Sequence, residues 1–214
     1  LIMSGLAGAI AAGNCVVVKP SEMAPRSSLV IEKIIKSAFD SEYVSVIQGE
    51  GSQVVPQLIN NFRFDHIFFT GSVQVGKAIY EMAAKKLIPV TLELGGKSPG
   101  VVEADANIPV AAKRLVFGKF LNAGQACIAP DYILVHFSVA KELVEEMKKA
   151  IKAFYGEDDY RGDYGKIINE KRFDQLVSYL QQGTILYGGT HHKAELFIAP
   201  TLMDKVPLEA PLMT

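Results

Sequence analysis

Short apolar segments alternate with helix-like segments through the first part of the chain, and this alternation constrains the fold more than any other feature. Four apolar runs predict short buried strands, at residues 15–18, 44–47, 66–69 and 90–94. The segments around them have helical patterns, at residues 4–12, 25–39, 52–60 and 73–84. Apolar strands that alternate with helices are typical of a parallel sheet covered by helices, so the sequence predicts an α/β fold.

Residue types within these helices predict where they begin and what they bury. Pro25 suits a first helical turn, and the buried face of that helix is predicted to be Leu29, Val30, Ile31, Ile34 and Ile35. Ser52 is a candidate N-cap for the next helix. Residues 1–12 are apolar, but they lack a charged N-terminal region and are too short to span a bilayer. They predict a buried helix of a larger fold.

The pattern changes after Gly95-Gly96, where we place a domain boundary. Strands are predicted at residues 98–102, 132–135, 185–187 and 197–199, and helices at residues 108–120 and 139–154. The last helix is amphipathic, with an inward face of Leu143, Met147, Ala150 and Ile151 and an outward face of Glu145, Lys148, Lys149 and Lys152. A charged loop is predicted at residues 157–161.

Charge and cysteine content exclude several functions. The 22 Lys and Arg residues nearly balance the 23 Asp and Glu residues, which leaves a net charge of -1. Such a chain has no basic field for nucleic acid or an anionic membrane, so a small-molecule substrate is favoured. Cys15 and Cys127 cannot form a disulfide framework, which favours a reducing, cytoplasmic compartment. Since no residues have zinc-ligand spacing and His191 and His192 read as surface residues, no metal site is predicted.

Two segments follow predicted strands, where ligands bind in open α/β sheets. Gly71 and Ser72 lie between a strand and a helix, and the free N–H groups and positive potential of a helix N terminus suit a phosphate. The alternative is an ordinary N-capped helix. After the first strand, Lys19 and Glu22 could bind sugar hydroxyls, and the alternative is a solvated turn.

Two further residues suit covalent chemistry. Glu93 ends an apolar strand, and a carboxylate among apolar neighbours ionises reluctantly, as a general base near neutral pH should. The alternative is a strand-end Glu that points to water. Cys127 follows Gly124, which permits an unusual turn that exposes the sulfur and offers a backbone N–H to an oxyanion. The alternative for Cys127 is a small buried hydrophobe.

Taken together, these segments resemble the aldehyde dehydrogenase superfamily. Four motifs agree in order and spacing: Lys-Pro-Ser-Glu at 19–22, Phe-Thr-Gly-Ser at 69–72, Glu-Leu-Gly-Gly-Lys at 93–97 and Gly-Gln-Ala-Cys at 124–127. The resemblance covers essentially the whole chain, and Phe120 with residues 122–132 looks closest to the class 3 branch, which handles fatty and aromatic aldehydes. It implies part of a Rossmann-type NAD(P)-binding domain at residues 1–95 and part of an α/β catalytic domain at residues 96–214.

The resemblance also implies an activity. Cys127 would be the nucleophile and Glu93 the general base in the oxidation of an aldehyde to a carboxylate. The reaction would pass through a thiohemiacetal and a thioester, with hydride transfer to NAD or NADP. The parent protein would be a homodimer or a higher homo-oligomer.

The same resemblance assigns the cofactor contacts. Lys19 and Glu22 would contact the adenosine ribose, and Gly71 and Ser72 would contact the pyrophosphate. Further cofactor-binding residues are implied at Val75, Leu94 and Gly95.

The family pattern continues beyond both ends of this chain. An Asn that shares the oxyanion hole normally precedes the helix found here at residues 1–12. A Glu-Glu-Ile-Phe-Gly-Pro segment that binds the nicotinamide ribose normally follows residues 211–214. We therefore expect an internal piece of a longer enzyme, inactive by itself.

Two alternatives stay open for the function. Members of the superfamily that transfer the acyl group to coenzyme A, or that reduce an acyl phosphate, use a similar cysteine. An intact Glu-Leu-Gly-Gly motif at Glu93 favours hydrolysis over these. The other alternative is a catalytically inactive fragment or a structural relative, and the presence of both Cys127 and Glu93 argues against it.

Overall fold

The computed structural model describes residues 1–156 and 164–213, so the charged loop predicted at residues 157–161 lies outside the described residues. The chain divides into two compact units, Leu1–Leu94 and Gly95–Thr214. The assignment of residues 1–95 to a cofactor domain and of residues 96–214 to a catalytic domain concerns function, and it stays a prediction.

The first unit alternates helices and strands as the sequence predicts. Its elements are α1 (Ile2–Ala11), β1 (Val16–Val18), α2 (Pro25–Ala38), β2 (Val44–Val46), α3 (Gly51–Asn61), β3 (Ile67–Thr70), α4 (Val73–Ala84) and β4 (Val90–Glu93). β1 pairs with β2 and β3 pairs with β4, both in parallel. A parallel pair needs a crossover between its strands, and here α2 connects β1 to β2 and α4 connects β3 to β4. The α/β prediction is confirmed.

Each parallel pair in the first unit has its own apolar core. Around β1 and β2, the buried side chains come from α1, α2 and both strands: Leu6, Val18, Ile35 and Val44. Around β3 and β4, they come from α3, α4 and the loop before β4: Ile59, Ile79, Ala83 and Ile88. These cores hold the strands in position, and with them the carboxyl ends of the strands, where ligand-binding residues are predicted.

The buried face of α2 differs from the prediction. Leu29, Val30 and Ile34 are each more than half exposed, at 54%, 55% and 51%. The residues that pack inward are Ser28 and Ile35, with Ile31 partly buried between them. Positions 28, 31 and 35 follow the three- and four-residue spacing of one helical stripe. Counting all the apolar residues as one face was therefore wrong.

One prediction about helix capping was also wrong. α1 forms, with Leu6 as its one buried residue and Leu1 88% exposed, so its burial in a larger fold stays a prediction. α3 begins at Gly51, so Ser52 lies inside its first turn and the N-cap position belongs to Glu50.

Cys15 does not begin a buried strand. β1 starts one residue later, at Val16, and Cys15 is exposed. The middle residue of the strand, Val17, is 40% exposed. The prediction of a buried strand across residues 15–18 holds for Val18 alone.

The second unit combines one parallel pair with antiparallel pairs. Its helices and strands are β5 (Ser98–Val102), α5 (Ile108–Phe120), β6 (Pro130–Val135), α6 (Ala140–Tyr155), α7 (Glu170–Tyr179), β7 (Thr184–Tyr187), β8 (His191–His192), β9 (Phe197–Ile198) and β10 (Leu202–Asp204). β5 and β6 run parallel, whereas β7 with β10 and β8 with β9 are antiparallel. β8, β10 and α7 were not predicted. α7 is polar and buries only Phe173, so its best sequence signal is the Asn169 N-cap, whose side chain accepts from the Arg172 amide at 2.8 Å.

The core of the second unit lies between α5, α6 and β5. The predicted inward face of α6 is confirmed, because its buried residues are Leu143, Met147, Ala150 and Ile151. Four aromatic rings form contacts at one side of this core: Phe120, Tyr155, Tyr164 and Phe197. Burial raises the pKa of the Tyr164 phenol, so this residue stays neutral inside the cluster.

Across the residues that the structure describes, no helix has both the length and the apolar character required to cross a membrane.

Candidate active site

Glu93 is the last residue of β4, and it lies opposite Thr70 in the parallel register with β3. Its carbonyl accepts a hydrogen bond from the Gly71 amide at 3.0 Å, which ties the end of β4 to the start of the predicted phosphate-binding segment. The side chain is exposed. The prediction of apolar surroundings for this carboxylate is therefore wrong, because the strand end leaves it open to water.

Gly71 and Ser72 lie where the sequence predicts, between β3 and α4, and both are exposed. Ser72 is the N-cap of α4, and its Oγ accepts from the Val75 amide at 3.3 Å. The alternative for this segment, an ordinary N-capped helix, is thus confirmed as a description of its local structure. A capped helix start after a parallel strand also carries the positive potential that an anion requires.

Leu94 packs against the first turns of α4. A Cβ added at Gly76 would lie 2.8 Å from one methyl carbon of Leu94, so any larger residue at position 76 would force this side chain to shift. Leu94 thus holds the end of β4 against the helix whose N terminus is predicted to bind the pyrophosphate. Gly95 is exposed and begins the second unit.

Lys19 and Glu22 bind each other across the turn after β1. The Lys19 ammonium donates to Glu22 Oε2 and to the Pro20 carbonyl, the latter at 2.9 Å. The second carboxylate oxygen of Glu22 accepts from the amide of Gly51, the first residue of α3, at 3.3 Å. The hydrogen bond from Lys19 holds the pKa of the Glu22 carboxyl below its usual range. Both side chains are partly buried, whereas Ser21, Met23 and Ala24 of the same turn are exposed, so the ribose contact stays a prediction.

Cys127 lies at the corner of a tight turn. The Ala129 amide donates to the Ala126 carbonyl at 3.1 Å, which leaves Cys127 and Ile128 as the two central residues. The thiol is exposed, whereas Ala129 is buried and begins the return into β6. The predicted exposure of Cys127 is confirmed, and Gly124 has a positive φ of 76°, which favours glycine.

A cluster of charged side chains lies at the start of β6. Asp131 forms ion pairs with Lys97 and with Lys119, the latter at 3.5 Å. Lys97 also donates to the Leu212 carbonyl at 2.5 Å. Since two lysines share one carboxylate, this group of three side chains carries a net positive charge.

The predicted site residues are shared between the two units. Lys19, Glu22, Gly71, Ser72, Val75, Glu93 and Leu94 belong to the first unit, and Gly95 and Cys127 belong to the second. Within the first unit, the structure brings Lys19 and Glu22 into contact, and it joins Gly71 to the end of β4.

Gly96 and Gln125 lie close to Cys127 but were not among the predicted site residues. A Cβ added at Gly96 would lie 3.1 Å from the Cys127 carbonyl oxygen. The Gln125 side chain bonds to the backbone of residues 122, 166 and 168. The available signals were a Gly pair after a strand, and a Gln that directly follows Gly124 and lies three positions after Asn122. Gly and Asn are the residue types that adopt left-handed conformations most readily.

Comparison with known proteins gives the relationships of the chain. A model of the aldehyde dehydrogenase family matches residues 1–214. The chain is 44% identical over 214 residues to the dimeric NADP-preferring aldehyde dehydrogenase of Mus musculus, which covers 100% of this chain and 47% of the relative. It is 42% identical over 214 residues to aldehyde dehydrogenase family 3 member A2 of Macaca fascicularis, covering 100% of this chain and 44% of the relative.

A solved structure gives the same relationship. The chain superimposes on Staphylococcus aureus AldH in a substrate-bound state with a TM-score of 0.91 and 45% identity, covering 99% of this chain and 46% of the other. The chain thus spans about half the length of the curated relatives it matches. The resemblance to this family and its class 3 branch is confirmed, and this chain belongs to the aldehyde dehydrogenase family.

Proposed function

We propose that this chain forms part of an NAD(P)-dependent aldehyde dehydrogenase that oxidises an aldehyde to a carboxylate. The observation that carries the proposal is the exposed Cys127 thiol at the corner of a turn whose far side is fixed by the buried Ala129. A nucleophile must reach its substrate and still keep a defined position, and this arrangement supports both.

The proposed reaction begins at the Cys127 sulfur. The thiolate adds to the carbonyl carbon, a C–S bond forms, and the carbonyl oxygen becomes an oxyanion. The amide of the first central residue of a β-turn does not form the hydrogen bond that closes the turn. The Cys127 amide therefore suits the role of oxyanion donor.

NAD or NADP is the proposed cofactor, and when bound it accepts the hydride that leaves the thiohemiacetal carbon. Lys19 and Glu22 suit the ribose hydroxyls, because a paired ammonium and carboxylate offer a donor and an acceptor together. Gly71, Ser72 and Val75 suit the pyrophosphate, since they form the exposed, capped start of α4. Leu94 and Gly95 complete the proposed contacts at the end of β4.

Glu93 is proposed to act after the thioester has formed. Its exposed carboxylate is open to water. It takes a proton from a water molecule as the oxygen attacks the thioester carbon, the C–S bond breaks, and the carboxylate product leaves. The Cys127 sulfur is then ready for another cycle.

The proposed substrates are fatty or aromatic aldehydes, which follow from the class 3 relationship. We also propose a homodimer or a higher homo-oligomer. The Mus musculus relative is named as dimeric, which supports this.

Product analysis tests the proposal in a protein of the relatives' length that contains residues 1–214 unchanged, called here the enzyme-length protein. Incubation with an aliphatic or aromatic aldehyde and NAD or NADP should yield reduced cofactor and free carboxylate in equal amounts. Coenzyme A should not divert the product. Formation of acyl-coenzyme A would favour the acylating alternative, and absence of reduced cofactor with every aldehyde would favour an inactive relative.

A further inference from the structure

Three successive residues just before Gln125 form a left-handed turn. Asn122 has φ 53° and ψ 37°, Ala123 has φ 54° and ψ 33°, and Gly124 has φ 76°. Glycine and asparagine visit this region readily, but an alanine does so only at a steric cost, because its Cβ approaches the backbone. Something outside the turn must therefore stabilise it.

The Gln125 side chain supplies three hydrogen bonds at this place. Its Nε2 donates to the Asn122 carbonyl at 3.1 Å and to the Lys166 carbonyl at 2.9 Å. Its Oε1 accepts from the Ile168 amide at 3.0 Å. Because the partners are two carbonyls and one N–H, only one orientation of the amide group satisfies them all.

Two of these partners, Lys166 and Ile168, belong to residues 164–168, which we call the supporting segment and which lie directly against the left-handed turn. A Cβ added at Gly165 would lie 3.3 Å from the Ala123 amide nitrogen and 3.3 Å from the Asn122 carbonyl carbon. The segment is anchored in turn, since Tyr164 and Ile167 are 8% and 4% exposed. The Ile167 amide also donates to the Leu196 carbonyl at 2.8 Å.

We infer that Gln125 is a positioning residue that holds the left-handed turn against the supporting segment and so fixes the direction of the Cys127 sulfur. Ala126 and the turn to Ala129 follow immediately, and Ala129 is buried. The loop that carries Cys127 is thus held from both sides, by Gln125 before it and by Ala129 after it. The inference rests on the proposal that Cys127 is the nucleophile.

Two substitutions separate this role from the chemistry. Gln125→Met keeps the size of the side chain and removes all three hydrogen bonds. Gln125→Glu keeps the oxygen that accepts from the Ile168 amide. It replaces the NH₂ group, which donates the other two hydrogen bonds, with a charged oxygen that would face the Asn122 and Lys166 carbonyls. Gln175→Glu is the matched control, because Gln175 lies on the exposed surface of α7 and its side-chain amide bonds to the side chains of Arg172 and Tyr179.

In the enzyme-length protein, both Gln125 variants should lower kcat by about 10- to 100-fold, because a displacement on the order of 1 Å costs up to about 100-fold in rate. The KM for aldehyde and the Kd for cofactor should change by less than about twofold, since a positioning defect acts on the chemical step. Alkylation of Cys127 by iodoacetamide, a small reagent with little directional demand, should keep its rate. Gln175→Glu should match the unsubstituted protein in every measurement.

A rescue experiment covers the case in which Gln125→Met destabilises the fold. Ala123→Gly removes the steric cost of the left-handed turn, so the turn depends less on its hydrogen bonds. The double variant should recover part of the kcat lost by Gln125→Met, and thermal unfolding of all variants shows whether folding explains the differences.

The outcomes are distinguishable. An unchanged kcat in Gln125→Met, or a loss of kcat that Ala123→Gly does not relieve, would overturn the positioning role while the nucleophile could still stand. If Cys127→Ser kept aldehyde oxidation, the proposed function itself would fail.

Discussion

The backbone at Gly96 approaches the carbonyl oxygen of Cys127 so closely that a Cβ added at Gly96 would lie 3.1 Å from that oxygen. Both sides of this contact are backbone, so neither can swing away as a flexible side chain would. Gly96→Ala should displace the Cys127 turn by a few tenths of an ångström. We expect kcat to fall by about 10-fold or more in the enzyme-length protein, because hydride transfer and acyl transfer depend on position.

The control for that substitution is Gly8→Ala, since a Cβ added at Gly8 meets no atom within 4 Å. Steady-state kinetics of the two variants should differ in kcat while cofactor binding stays the same in both. A Gly96→Ala protein with the full kcat would mean that the close approach has no consequence for the nucleophile.

Cys127→Ser should remove nearly all aldehyde oxidation and leave cofactor binding intact, because a serine hydroxyl is a far weaker nucleophile than a thiolate. Cys15→Ser is the control, since both thiols are exposed. We expect iodoacetamide to modify both cysteines, with loss of activity following modification of Cys127 alone. Mass spectrometry of the alkylated peptides beside the activity assay checks this, and inactivation that tracked Cys15 would contradict the assignment.

Glu93→Gln should preserve a single burst of reduced cofactor and abolish steady turnover, because the carboxylate is proposed to act in deacylation. Rapid-mixing measurements of cofactor absorbance separate the two phases. Glu81→Gln, on the exposed surface of α4, is the control and should keep both phases. Loss of the burst would show that Glu93 is also required earlier, and full steady turnover would remove it from the mechanism.

Glu22→Gln should raise the use of NADP relative to NAD, because it removes a negative charge that would face a 2′-phosphate. The hydrogen bond from Lys19 keeps the pKa of Glu22 low, so the carboxylate stays charged as the pH falls to mildly acidic values. The preference of the unsubstituted protein between NAD and NADP should therefore be constant between about pH 5 and about pH 8. The ratio of kcat/KM for NADP to kcat/KM for NAD measures this preference.

Glu32→Gln is the matched control for Glu22, because Glu32 on α2 is also partly buried and also pairs with a lysine, Lys36, at 2.5 Å. Its cofactor preference should not change. An equal preference in Glu22→Gln and the unsubstituted protein would show that Glu22 does not face the ribose.

The sequence predicts the elements that depend on long apolar periodicity. α4 and α5 appear with the predicted bounds, and α6 buries the predicted residues. The failures concern burial where apolar residues are plentiful. In α2, Leu29 and Val30 are exposed because a helix presents one stripe to its core, and composition alone does not show which stripe it is.

The position of Cys127 in the chain could be predicted, but the support around it could not. Gln125 bonds to Lys166 and Ile168, more than forty positions later in the chain, and Gly165 lies against Ala123. Such contacts bring together segments with no local pattern in common. Likewise, the exposure of Glu93 depends on what lies beside the end of β4, which the residues of that strand do not specify.

Cys127 lies at a turn corner and contributes nothing to the hydrophobic cores, and this has an evolutionary consequence. A mutation that replaced the sulfur would remove the proposed nucleophile without opening a cavity or breaking a helix. Selection on folding would not oppose such a change, whereas it would oppose the loss of a neighbour such as the buried Ala129. Descendants of this protein that lost the cysteine would still fold, and natural selection could retain them for their shape or binding alone.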